Sequence, residues 1–171
     1  MVSGCPEFAY IRIDQLVVSF TRTRSYKKGG LLAYLIPLRF QGGSTIDHVH
    51  GKLFEIPTMI MDGIIKLYII GFLYPRFLDL LLEEKVKTII HELYHISEDF
   101  DGDIRRFPGR TFAHSGRKTN FDKETNRIAD TWLSKTGADL LVLSMDSKEL
   151  SKNYGKVIGL HVSKPKIHRL P

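Results

Sequence analysis

Apolar residues in the first half of the chain come in short runs bounded by Gly and Pro; further along they switch to three- and four-residue spacings. Phe8 to Thr21 is rich in Ile, Val, Tyr and Phe, and Leu31 to Phe40 has the same character, so each predicts a strand. Ser25 to Gly30 supplies turn residues for a hairpin-like connection between them, and Gly42-Gly43-Ser44 closes the second. Two more apolar runs, Lys52 to Ile60 and Ile64 to Tyr74, bring the expectation to about four strands before the first helix.

From Leu81 the period changes. Val86, Ile89, Ile90, Leu93 and Ile96 repeat at helical spacing, with Glu83, Glu84, Lys85 and Lys87 on the polar positions. The two glutamates fall in the first turn, where the helix dipole favours negative charge. A loop of Asp, Gly, Arg and Pro follows from Glu98 to Asn120, then a second helix over Asp122 to Ser134, ending before Gly137. Beyond Ala138 the pattern gives only a short strand at Val157 to Val162. Strands first and helices afterwards predict an α+β fold, and 171 residues suit one domain, 1–171, with its own core.

Composition narrows the classes. A hydrophobic share of 43% and a charged share of 26% exclude wholesale disorder. Pro57 to Leu82 is the most apolar stretch, but Asp62, Lys66, Arg76 and Asp79 interrupt it and Pro75 breaks it, so no membrane span is expected. The single cysteine, Cys5, makes neither an intrachain disulfide nor a CxxC site, which leaves His and carboxylates to hold any metal. Met1 to Tyr10 has no basic start and no apolar stretch of the secretory kind, and the expected location is the cytoplasm.

Candidate chemistry sits at His91-Glu92-Leu93-Tyr94-His95, an HExxH motif inside the expected first helix. Residues four apart on a helix share a face, so both imidazoles can reach one ion, and zinc accepts two such nitrogens. Glu92, one residue along, is placed to act as a general base toward water without being a ligand. A catalytic zinc takes three protein ligands and leaves a position open. Two downstream residues can supply the third: His114, in Phe112-Ala113-His114-Ser115-Gly116, and Glu124, at the start of the second helix. His114 is the favoured choice, giving His91, His95 and His114 as the metal set.

The stretch Ile89-Ile-His-Glu-Leu-Tyr-His-Ile-Ser97, with Asp99 to Arg110 and Ala113-His114 after it, resembles the zincin-like metallopeptidases, and within them a small family of phage and prokaryotic members. The likeness covers residues 80–120 and reaches the upstream strands only in outline. It implies a zincin-like fold in which a mixed, mostly antiparallel sheet lies beside the HExxH helix and a second helix. It also implies an edge strand that binds extended peptide antiparallel to itself, expected at Leu67 to Tyr74. The implied activity is zinc-dependent hydrolysis of a peptide or protein substrate. The longer metzincin signature is missing, since position 98 is Glu and position 101 is Asp.

Other groupings carry less. Asp99, Asp101 and Asp103 alternate as in a calcium loop, but Gly102 and Arg110 stand at the wrong places for an EF-hand, so a polar turn is expected. His48 and His50 read as surface residues. Arg105, Arg106 and Arg110 either pair with the neighbouring aspartates or receive a substrate carboxylate. The net charge of +6 gathers toward the end, where Lys148 to Pro171 holds five Lys and one Arg against the single Glu149. That basic tail suits contact with nucleic acid or another acidic partner, which opens a second function class, a DNA-associated zinc protein; a zinc-stabilised domain without catalysis is the third.

Overall fold

The computed structural model describes residues 1–23, 30–107, 118–155 and 162–171. After 3-10 turns at Val2–Gly4, Pro6–Phe8 and Ile13–Gln15, seven strands among the described residues precede the first helix: β1 (Leu16–Arg22), β2 (Ala33–Pro37), β3 (Ile46–Val49), β4 (Lys52–Glu55), β5 (Met59–Met61), β6 (Ile64–Lys66) and β7 (Tyr68–Tyr74). The helices are α1 (Leu82–Tyr94), α2 (Lys118–Lys135), α3 (Leu141–Ser144) and α4 (Ser147–Tyr154), and β8 (His168–Arg169) ends the chain. The architecture is mixed α+β with small, mostly antiparallel sheets.

Three sheets replace the single one expected. β1, β7 and β2 form the main sheet in that order, β3, β4 and β8 a second, and β5 and β6 a hairpin. The runs Lys52 to Ile60 and Ile64 to Tyr74 each divide in two: Ile56-Pro57 lies between β4 and β5, and Leu67 lies between β6 and β7. The first strand begins at Leu16 instead of Phe8. Phe8 and Ile11 are both buried at a three-residue interval, which suits turns and not the two-residue alternation of a strand. The strand expected at Val157 to Val162 lies outside the described residues apart from Val162, which packs behind the main sheet against Val17, Leu38 and Ile69.

β1 and β2 do not form a hairpin. β7 lies between them, parallel to β1 (Val18 opposite Ile70) and antiparallel to β2 (Leu35 opposite Ile70). The edge strand beside α1 is therefore β2, and Leu67 to Tyr74, expected at the edge, is the centre. The cause is visible in β7 itself: Tyr68-Ile-Ile-Gly-Phe-Leu73 is buried throughout, the signature of a strand covered on both faces. Gly71 is required within it, because a Cβ there would run into the ring of Tyr34, whose hydroxyl bonds Thr21 across the sheet at 2.6 Å.

α1 lies on one face of this sheet. Val86, Ile90 and Leu93 are buried among Leu16, Ala33, Tyr68, Ile70 and Phe72, each side chain contributing about 1.5–3 kcal/mol from the area removed from water. Its start is closed by Glu84, whose carboxylate accepts the Leu81 backbone N–H at 3.2 Å. α2 covers the opposite flank of α1 with Phe121, Ile128, Ala129 and Trp132, all buried. It starts at Lys118, four residues before the expected Asp122. Lys85, fully buried, ties the segment after α2 to α1 by donating to the carbonyls of Leu143 (2.9 Å) and Met145 (2.7 Å). Among the described residues no helix is long and apolar enough to cross a membrane.

Candidate metal centre

α1 carries His91 and Glu92 in its last turn and ends with His95 at the C-cap, still in helical geometry (φ −73, ψ −15). The two imidazoles consequently project from the same face, and Nε2 of His91 lies 3.2 Å from Nε2 of His95. The rings meet edge to face, with centroids 4.9 Å apart at 76°. Phe121 of α2 supports both: it meets His91 edge-on at 4.8 Å and stacks on His95 at 4.7 Å. Tyr94 and Phe107 pack in turn on Phe121, at 5.1 and 5.9 Å. Both histidines are half-buried, and His91 opens onto a cleft of about 420 Å³, bounded by Leu31, Leu32 and Ala33 on one side and by Asp122 and Asn126 of α2 on the other.

Glu92 shares that cleft but is only 7% exposed. Burial pushes its carboxyl up to about 7, partly opposed by the nearby backbone N–H of Leu35. Strand register explains why that N–H is free. Leu38 N–H bonds Leu67 O and Leu73 N–H bonds Leu32 O, so the even-numbered residues of β2 face β7 and the backbone groups of Ala33 and Leu35 face outward toward α1. Pro37, the next outward position, has no N–H to leave unpaired.

The two nitrogens fit a zinc ion. Zn–N bonds of about 2.0–2.1 Å at a tetrahedral angle separate two ligand nitrogens by about 3.3 Å, close to the separation found. Among the described residues no group of three or more His, Cys, Asp or Glu side chains is arranged to hold a metal ion, here or elsewhere. His114 lies outside the described residues, as does Arg110. Glu124 is held elsewhere: its carboxylate accepts Nη2 (2.8 Å) and Nε (3.1 Å) of Arg127, which lowers its pKa, and Arg127 also reaches Glu7.

The remaining candidates are accounted for by their neighbours. Arg105 lies over the Tyr94 ring at 4.2 Å and donates to Glu98 (2.6 Å) and to the Tyr10 hydroxyl (3.0 Å), while its backbone N–H bonds His95 O at 2.7 Å. Arg106 forms a two-pronged bond to Asp103 at 2.7 and 2.9 Å. Asp101 accepts the Asp103 backbone N–H, which makes the acidic loop a set of turns. His48 is exposed on β3 and His50 occupies the turn after it with φ 51.

Sequence reasoning missed Phe121, Asp122 and the Leu35 N–H. Phe121 carried a signal: with Thr125, Ile128, Ala129 and Trp132 it completes a helical stripe that points at α1. The Leu35 contact had none, because it depends on which strand takes the edge. No family model matches the chain, and no curated protein or solved structure matches it either.

Proposed function

We propose that this chain is a zinc-dependent peptidase with a zincin-like site, in which His91 and His95 hold the metal, His114 completes the set and Glu92 is the general base. The observation that carries the reading is the 3.2 Å separation of the two Nε2 atoms on one helix face, beside a buried carboxylate. Zinc, when bound, polarises a carbonyl and makes water easier to deprotonate. Glu92 takes the proton of the attacking water and returns it to the leaving amine; a carboxyl near neutrality suits both transfers. Phe121 fixes the imidazole planes, and the outward N–H and C=O of Ala33 with the C=O of Leu35 offer an extended peptide a partner along β2.

The test is Glu92→Gln. That variant should keep its zinc and lose peptide hydrolysis, and cleavage at the parent rate would remove Glu92 from the role of base.

A second reading concerns nucleic acid. Residues 162–171 carry Lys164, Lys166 and Arg169 with no acidic residue, and they fold back so that β8 pairs with β4. Lys166 and Arg169 are exposed there, which favours contact with a polyanion through this end of the chain. Retention on DNA that falls with salt and with Lys166→Ala/Arg169→Ala supports it; retention unchanged in the double variant contradicts it.

A further inference from the structure

Arg39 lies two residues past the end of β2 and is 8% exposed, yet among the described residues no carboxylate pairs with it. Nη1 donates to its neighbour Leu38 O at 2.7 Å and Nη2 to the Thr58 hydroxyl at 3.4 Å, so most of its five N–H donors are uncommitted. Burial alone lowers its pKa, with no neighbouring acid to raise it. Gly102, at φ +93, makes the placement possible: a Cβ there would sit 2.5 Å from Arg39 Cγ, and Gly102 O accepts the Arg39 backbone N–H at 3.1 Å. Buried cations are ordinarily paired.

A cleft of about 430 Å³ opens at this side chain, walled by Ile36, Pro37, Phe40, Ile56 and Ile104. Its other charged groups are Arg106 and Asp103, bonded to each other, and Asp47, whose Oδ1 accepts the His48 N–H at 2.7 Å. Among the described residues Arg39 is thus the cation in the cleft with no carboxylate bonded to it.

We propose that this cleft is a carboxylate subsite, in which Arg39 receives a carboxylate of a peptide lying along the free edge of β2. Arg39 lies four positions beyond Leu35, whose N–H faces Glu92, a span of about 13 Å in extended chain. A peptide antiparallel to β2 brings to the cleft a side chain three or four residues N-terminal to the bond facing Glu92; a parallel one brings its own C-terminal carboxylate. The position of that bond rests on the peptidase reading, whereas the capture of a carboxylate at Arg39 does not.

The experiment measures binding to the zinc-free full chain, so turnover plays no part. Three hexapeptide pools, fluorescein-labelled at the N-terminus and random elsewhere, are compared by anisotropy: Glu at the second position with an amidated end, Gln there with an amidated end, and Gln with a free C-terminal carboxylate. The parent should bind a carboxylate-bearing pool about fivefold or more tighter than the amidated Gln pool, and whichever of the two does so names the source. That preference should vanish in Arg39→Met and persist in part in Arg39→Lys. Equal binding of all three pools by the parent overturns the subsite, as does a preference that survives Arg39→Met. The parent ratio decides even where a variant does not fold. Hydrolysis by the zinc-loaded protein is scored separately, so a failed peptidase reading and a failed subsite give different results.

Discussion

Glu92 faces the outward backbone N–H of Leu35, so the HExxH helix and the edge strand meet at the residue expected to move protons. The two residues lie more than fifty positions apart in sequence. Glu92 thus sits at the strand edge, where an extended peptide would pair. Glu92→Gln retains an acceptor for this N–H and removes the base. We expect it to fold with the parent's thermal stability, to bind zinc in equal amount, and to lose peptide hydrolysis by about two to four orders of magnitude. A loss of zinc together with activity would place Glu92 among the ligands instead.

Glu124 and His114 separate cleanly as third ligands. Because Arg127 holds Glu124 through two hydrogen bonds, Glu124→Ala should leave zinc stoichiometry unchanged, whereas His114→Ala should weaken zinc binding severely. Elemental analysis of the two purified variants checks this, and the opposite ordering would hand the position to Glu124.

Phe121 underlies both imidazoles. Phe121→Ala removes a buried ring and should cost about 3–5 kcal/mol in urea unfolding. Zinc affinity should fall by about 10- to 100-fold as the His91 and His95 rings lose their backing. An affinity equal to the parent's in competition with a chelator would show that α1 alone orients the histidines.

Lys85 is buried without a carboxylate bonded to it and clasps the carbonyls of Leu143 and Met145. Lys85→Met should loosen that segment, with hydrogen exchange over 141–155 rising about tenfold more than in β7, consistent with the loss of two charge-assisted bonds. Uniform exchange in parent and variant would mean that Leu143 and Leu150, packed on the core, hold the segment without it.

Cys5 is a buried thiol beside Glu7. Burial first, and then the hydrogen bond to that carboxylate, push its pKa up to about 11 from an ordinary 9.0. At pH 8 the folded chain should carry about a hundredfold less thiolate than the unfolded chain and react with iodoacetamide correspondingly slowly. A raised thiol pKa also sets the sign for stability: the contribution is intact below pH 9 and is lost as pH climbs toward 11. Alkylation of the native protein at the denatured rate would contradict the assignment.

The helix and its site were legible because their signals are local. Val86, Ile90 and Leu93 at helical spacing placed α1 within a residue of its start at Leu82, and His91 and His95 lie on one face by helix geometry alone. The sheets were harder to read because pairing is decided between distant segments. Leu67 to Tyr74 and Leu31 to Phe40 both read as strands, but which of them takes the edge turns on β1 packing parallel to β7, and no local pattern encodes that. The unbroken apolar run from Tyr68 to Leu73 was the one available hint that β7 is the centre. Glu124 illustrates the converse, since its type and position suit a ligand until Arg127 is seen to occupy it.

Zinc content of the purified chain, measured beside His91→Ala and His95→Ala, bears on the centre of the account. One zinc per parent chain, and near zero in each variant with the fold retained by circular dichroism, is the predicted result. A parent that binds no zinc, or variants that keep it, would contradict the metal site and with it the proposed hydrolysis.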